Sequence, residues 1–282
     1  KSRQWGVEFR GSKLHLIFFL EAGFWVGKSL MKTDSTGLPS VQQLNGTFEI
    51  ANPCAACDVR TRAVCAALNN AELTELSEHS RHKELSAGDT VFFEGDPAEA
   101  YYVVMDGALK LYKLLADGRR QITGFLFKGD FVGLAFHTDH TFTAEALKGS
   151  KLCQLPKQRF ETVADHSPQL GHRLLTLASA GIASAQEQML LLGRKTAAER
   201  LASFLLWLST VQGREAAKPL DRISVPMSRA DMGDYLGLTV ETVSRTVTKF
   251  KTSGLIRLCD HNEIEICDRE TLSSIADGEE LD

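Results

Sequence analysis

The 282-residue chain has no apolar run of the roughly 20 residues that a membrane-spanning helix needs. The longest candidate, Leu14 to Val26, is interrupted by Glu21, so no membrane association is expected. Six cysteines are too few to staple a chain of this length, which excludes a disulfide scaffold. Charge of one sign is missing too, since 32 basic against 36 acidic side chains leave −4. Neither a phosphate-cradling glycine loop nor a constellation of nucleophile, base and oxyanion donors occurs, so no enzyme is expected. What is present is an ordinary globular composition, 43% hydrophobic and 24% charged, with enough residues for two domains.

The small net charge hides an uneven distribution. Arg194 to Arg257 holds 11 Lys/Arg against 6 Asp/Glu, whereas Leu258 to Asp282 holds 9 acids and 1 arginine. A polyanion-binding patch followed by an acidic tail fits this pattern. At the other end, Lys1 to Leu30 combine basic residues with LHLIFFL in the superficial manner of a signal peptide. Met31 opens a polar segment that reads as a natural start, so the residues before it are expected to be a dispensable extension. Residues 1–52 as a whole are expected to be extension and disordered lead-in.

From Glu84 to Pro156, short β-rich runs (TVFFE, YYVVMD, LKLYKLL, QITGFLF, TFTAEAL, KLCQL) alternate with glycines, as in an all-β roll. Asp117-Gly118 marks a hairpin turn. Ser167 and Pro168 then form a helix start, a side-chain cap followed by proline at the first turn. In the helix that follows, Leu175, Ala178, Ile182, Ala185, Met189 and Leu192 recur at alternating steps of 3 and 4, a seam that asks for a partner. At about 39 Å this helix outruns a small roll, so a parallel homodimer is expected. A second helical stretch, Thr196 to Ser209, opens the last domain, and Gly213 to Pro219 reads as a polar linker.

Ser228 with Asp231 is a cap signature, Gly237 breaks the chain, and Thr239 caps a second helix that Gly254 ends. On that helix Val240, Val243, Val247 and Phe250 fall on one side, and Glu241, Ser244 and Arg245 on the other. This is a helix-turn-helix whose polar face would read base edges, arginine to guanine and glutamate to cytosine. Arg229, Thr239, Thr242, Lys249 and Lys251 are the expected phosphate contacts of double-stranded DNA. LIRLCDHNEIEICD reads as the wing. Cys54, Cys57 and Cys65 form C-x2-C-x7-C, thiols close enough to call for a metal. Spacing leaves zinc and iron–sulfur equally open. The fourth ligand is open among Cys153, Cys259 and Cys267, with His79 and His82 further options for zinc.

Taken in order, the N-terminal cysteines, GDTVFFEGDPAEAYYVVMDGALKLYK, QITGFLFKGDFVGL, the seam helix, MLLLGRKTAAERLASFL and GLTVETVSRTVTKF resemble the Crp/Fnr superfamily of bacterial transcription regulators, specifically its oxygen-sensing Fnr group, over Pro53 to Cys267. The resemblance implies a cytoplasmic homodimeric activator that works with RNA polymerase, and a 4Fe-4S cluster on Cys54, Cys57, Cys65 and Cys153. The E-x-x-S-R of Glu241, Ser244 and Arg245 implies an inverted repeat of TTGAT-like half-sites. The chain departs from the family in several places. The x7 spacing replaces an x5. Gly133-Leu134-Ala135 and Thr141-Phe142-Thr143 replace the Gly-Glu-Leu and Arg-Ser cassette, so no cyclic nucleotide is expected. Ala185 stands in the seam where a charge could hold monomers apart, and Gly118-Arg119-Arg120 follow Asp117 where polymerase-contacting acids would stand.

The expected fold is α+β: a cluster segment and β-roll over 53–166, a dimerisation helix over 167–193, and a winged helix-turn-helix with acidic tail over 194–282. Rival readings are a regulator with structural zinc and another effector such as nitric oxide, a redox protein that binds no DNA, and a haem sensor using His137 or His140.

Overall fold

The computed structural model describes Cys54 and residues 56–133, 138–259 and 262–279; the expected extension and lead-in, Leu134, Ala135 and His137 lie outside them. The architecture is α+β. Strands β1 (Arg81–Leu85), β2 (Thr90–Phe92), β3 (Ala100–Asp106), β4 (Ala108–Leu114), β5 (Arg120–Phe127), β6 (Phe131–Val132), β7 (Thr143–Ala146) and β8 (Ser150–Pro156) form a roll. Its two antiparallel four-stranded sheets are ordered β1-β8-β3-β6 and β2-β7-β4-β5. Inside lie Phe92, Tyr102, Val104, Leu109 and Leu152. The Asp117-Gly118 turn closes β4 on β5, with Gly118 at φ +84°.

Helices α1 (Asn70–His79) and α2 (Lys157–His166) flank the roll, and the sequence pattern did not reveal them. Each is only 10 residues long with two buried side chains, too short for a clear helical period. Helix α3 (Pro168–Arg194) starts at the expected cap, the Ser167 hydroxyl accepting the Leu170 N–H. Helix α4 (Ala197–Gln212) carries a Thr196–Glu199 capping box. The stretch read as a linker winds into a short 3-10 turn at Gly213–Ala216. Beyond it, β9 (Arg222–Ser224), α5 (Arg229–Leu236), α6 (Val240–Thr252), β10 (Ile256–Cys259), β11 (Glu263–Ile266) and α7 (Arg269–Ala276) form the last domain. Its sheet is ordered β10-β11-β9, so the predicted wing is the β10–β11 hairpin. Among the described residues no helix is long and apolar enough to cross a membrane.

The roll and the last domain share one core. Leu109 and Leu111 of β4 point into the roll, whereas Tyr112, Ile122 and Phe125 join a cluster with Phe204, Met232, Tyr235 and Phe250. The same outer face carries Lys110, 6% exposed. Its ammonium lies 2.8 Å from Glu145 and 3.1 Å from Asp231 of α5. Arg120 reaches Asp231 at 2.8 Å and Asp234 at 2.7 Å, and the Gln121 amide donates to the Asp234 carbonyl at 2.7 Å. Arg120, expected in an exposed turn, is thus part of the joint between the two domains.

Removing one member of a buried ion network leaves the others uncompensated in low dielectric. Lys110→Met should therefore cost about 3 kcal/mol in urea unfolding at neutral pH, whereas a loss below about 0.5 kcal/mol would place the network no higher than surface pairs. Burial pushes the Asp231 carboxyl up, but the Ser228 hydroxyl and the Lys110 ammonium outweigh it and hold the group below the usual carboxylate range. Its contribution is present above the unfolded value of about 4 and is lost as pH falls through the folded value. The wild-type urea midpoint should drop below about pH 4, and Asp231→Asn should flatten that part of the profile.

Candidate functional site

The helix-turn-helix is built by local chemistry. Ser228 and Asp231 cap α5 reciprocally, the hydroxyl accepting the Asp231 N–H and the carboxylate accepting the Ser228 N–H, both at 3.0 Å. The chain then turns at Gly237, φ +62°, where a side chain would meet Leu192 at 3.0 Å. Gly233 is held to glycine by proximity instead, since a Cβ there would lie 2.6 Å from the Leu238 carbonyl oxygen. Thr239 caps α6 by accepting the Thr242 N–H at 3.2 Å.

Helix α6 buries Val243, Thr246, Val247 and Phe250. Val240, expected on that side, is 44% exposed, because it stands in the first turn beyond the edge of the core. Glu241, Ser244 and Arg245 share the exposed face as expected. The first-turn backbone amide, the Thr239 hydroxyl and, least, the Arg245 charge hold the exposed Glu241 carboxyl below its ordinary range. The Ser244 hydroxyl donates to the Val240 carbonyl at 2.8 Å. Lys249 and Lys251 are exposed. Arg229 is half-buried, its guanidinium against the Met232 sulfur at 3.3 Å, and desolvation lowers its pKa.

The aim of this unit depends on residues to which the sequence assigned no role. From α4, Arg200 donates to the carbonyls of Lys195 (2.8 Å), Leu192 (3.0 Å), Leu236 (2.8 Å) and Gly237 (3.3 Å). One guanidinium thus satisfies the open ends of both α3 and α5. Gln188 of α3 adds a bond to the Tyr235 carbonyl at 2.7 Å.

A second centre lies at the other end of α3. Cys54, Cys57, Cys65 and Cys153 are all half-buried and border one apolar cluster, with Leu170, Leu174 and Leu177 of α3 around it. Burial first, and then the neighbouring thiols, push Cys65 up to about 12; burial followed by Cys54 and Cys57 pushes Cys153 up to about 12. Cys54 is raised by burial and by Cys57, against a smaller opposing effect of Arg60. Every pair among the four therefore interacts, although Cys153 comes from β8 and the others from the segment before α1. Cys65 sits in a 3-10 turn (Val64–Ala67) packed on α3. His82 lies opposite Cys153 in strand register but is exposed, and His79 ends α1. Cys259 and Cys267 lie in and just after the wing strands, half-buried and exposed respectively. Among the described residues no three Cys, His, Asp or Glu side chains close around a single ion.

Along α3 itself, Leu175 (71% exposed), Ile182 (63%) and Met189 (66%) form an uncovered apolar stripe. Ala185 is exposed and Ala178 half-buried. Leu192 departs from the expected seam: it turns inward against the core of the last domain, over the Gly237 turn.

A β-roll fused through one long helix to a winged helix-turn-helix defines a DNA-binding regulator. The chain matches the families described as cyclic nucleotide-binding domain over residues 82–167 and Crp-like helix-turn-helix domain over residues 199–275. It is 42% identical over 241 residues to the nitrogen fixation regulation protein FixK of Bradyrhizobium diazoefficiens, covering 84% of this chain and 98% of FixK. It is 35% identical over 229 residues to the transcriptional activator protein anr of Pseudomonas aeruginosa, covering 80% and 93%. The solved structure of FixK2 from Bradyrhizobium japonicum superposes with a TM-score of 0.65 at 34% identity, covering 72% of this chain and 98% of that one. The chain belongs to the Crp/Fnr family of transcription regulators and is not an enzyme.

Base contacts and phosphate contacts predict different signatures. Arg245→Ala should cost about 1–3 kcal/mol on a specific site and much less on random DNA. Lys249→Ala should weaken both and lower the slope of log affinity against log salt by about 0.9. Fluorescence anisotropy over a salt series separates the two; equal losses on specific and random DNA for Arg245→Ala would remove it from base reading.

Proposed function

We propose that this protein is a cytoplasmic, oxygen-responsive transcription activator that binds an inverted, TTGAT-like DNA repeat as a homodimer and acts together with RNA polymerase. The observation that carries the oxygen reading is the convergence of four thiols from two distant parts of the chain. As protonated thiols they are crowded acids in an apolar setting; a positively charged metal centre would compensate the thiolates. Four cysteines suit a 4Fe-4S cluster, with Cys54, Cys57, Cys65 and Cys153 as its ligands. When bound, such a cluster supplies an oxidant-sensitive tie between the cysteine segment and β8.

The rest of the response belongs to the chain. Cys65 and its 3-10 turn rest on α3, and Arg173 of α3 donates to the Arg62 carbonyl at 2.9 Å, so ordering the cysteine segment orders the first half of α3. The opposite face of that helix offers Leu175, Ile182 and Met189 to a second copy. Its far end is gripped by Arg200 and Gln188, which aim the helix-turn-helix. A helix fixed at one end and paired along its length would hold two recognition helices at half-site spacing. Glu241, Ser244 and Arg245 then read base edges, while Thr239, Thr242, Lys249 and Lys251 meet phosphates. The interior of the roll is filled by Phe92 and Phe142, rings 5.8 Å apart, and Thr141 and Thr143 stand where a phosphate-binding arginine would be needed, which supports a response without cyclic nucleotide.

Chain purified without air should contain about four iron and four sulfide and lose visible absorption on exposure to air. Cys153→Ser should abolish both and Cys267→Ser neither; zinc in place of iron would overturn the oxygen reading and leave the DNA reading intact. Ile182→Glu should convert the dimer to monomer in sedimentation and abolish binding to the two-half-site operator, with the fold retained by circular dichroism.

A further inference from the structure

A cleft of about 550 Å³ opens where the cysteine segment, the roll, the first half of α3 and the end of α4 meet. It is separate from the roll interior and from the DNA-reading face. Basic side chains outnumber acidic ones along it, and two of the three acids are committed to ion pairs. Glu215 pairs with Arg62 and lies 3.9 Å from Lys128, and Asp130 holds Arg214 at 2.7 Å. Asp106 is exposed and makes no ion pair among the described residues. Two cations remain. Lys148 is exposed and makes no ion pair among the described residues. Arg173 uses one terminal nitrogen on the Arg62 carbonyl, while its Nε is buried without a hydrogen-bond acceptor.

A buried guanidinium N–H left without an acceptor works against stability. Arg173 lines the cleft with a guanidinium that the protein satisfies at one terminal nitrogen only. Between the charges the wall is apolar, with Phe127, Phe131 and Leu177. The volume lies within the range that encloses small organic molecules.

We propose that this cleft binds a small organic anion, its acidic head on Arg173 and Lys148 and its flat apolar body against Phe127, Phe131 and Leu177. Because the walls come from the cysteine segment, the roll, α3 and the last domain, the bound anion favours the docked arrangement of the two domains. The inference is independent of DNA reading and of dimerisation.

The test uses the full chain and 8-anilinonaphthalene-1-sulfonate, a fluorescent anion with a flat apolar body. One saturable site per chain is expected, with the urea midpoint rising as it fills. Lys148→Met and the double variant Arg173→Met/Lys148→Met should weaken this site by about tenfold or more, whereas Leu175→Ser on the exposed stripe should not. Inorganic phosphate and benzoate as competitors identify the preferred head. Absence of a saturable site, binding unchanged in the double variant, or competition by neither phosphate nor benzoate would overturn the proposal.

Discussion

The carboxylate of Asp231 is the point on which the arrangement of this molecule turns. It is 6% exposed and serves two masters at once. Within its own helix it closes the capping box with Ser228, and across the domain boundary it receives Lys110 and Arg120 from the roll. The helix start that positions the recognition helix is therefore also the anchor that ties the last domain to the roll. In a buried setting such an anion is tolerable only while its cationic partners stay, so the two domains are coupled through electrostatics as well as through the shared apolar core. Direction follows from the same geometry: hydrogen bonds to a carboxylate fix angle, whereas Phe125, Phe204 and Tyr235 around it supply area without orientation.

Helix α3 is the second constraint, because its faces have different duties. Leu170, Leu174 and Leu177 look toward the thiol cluster, Leu175, Ile182 and Met189 toward solvent, and the last turn is held by Arg200 and Gln188. A rigid helix is a short physical path between the cysteine segment and the helix-turn-helix. The charged cleft lies beside the same path and draws walls from both domains. Two chemically unrelated features, the thiol cluster and the basic cleft, thus adjoin one helix.

Much of this was legible in the sequence wherever the causes are local. A cap bonds two or three residues onward, a hairpin turn needs one residue at positive φ, and a helix face repeats within four positions; hence Ser167, Gly118, Thr239 and the exposed face of Glu241, Ser244 and Arg245 were all readable. Where locality ended, the reading erred. Val240 fits the apolar face by period but stands beyond the core, and Leu192 fits the seam but is drawn toward Gly237. The packing of Met232 against the Arg229 guanidinium was likewise not readable from charge alone.

Lys110 was the one long-range clue in plain view, a charge between Ala108 and Tyr112 on the alternating face of β4 that both neighbours mark as buried. Its partners were invisible, since Asp231 lies more than a hundred residues away and looks like any helix cap. Arg120 stood in the loop after Asp117 and Arg200 in a family-like stretch, but their roles were not readable, because what makes them matter is carbonyls and carboxylates that only the finished fold brings within reach. The sequence by itself determined the elements, their caps, the polar face of α6 and the set of thiols, all governed by neighbours along the chain. The tertiary structure alone decided which charges are buried, which helix face stays uncovered and where the cationic cleft opens, because burial and electrostatic pairing depend on distances that covalent connectivity does not set.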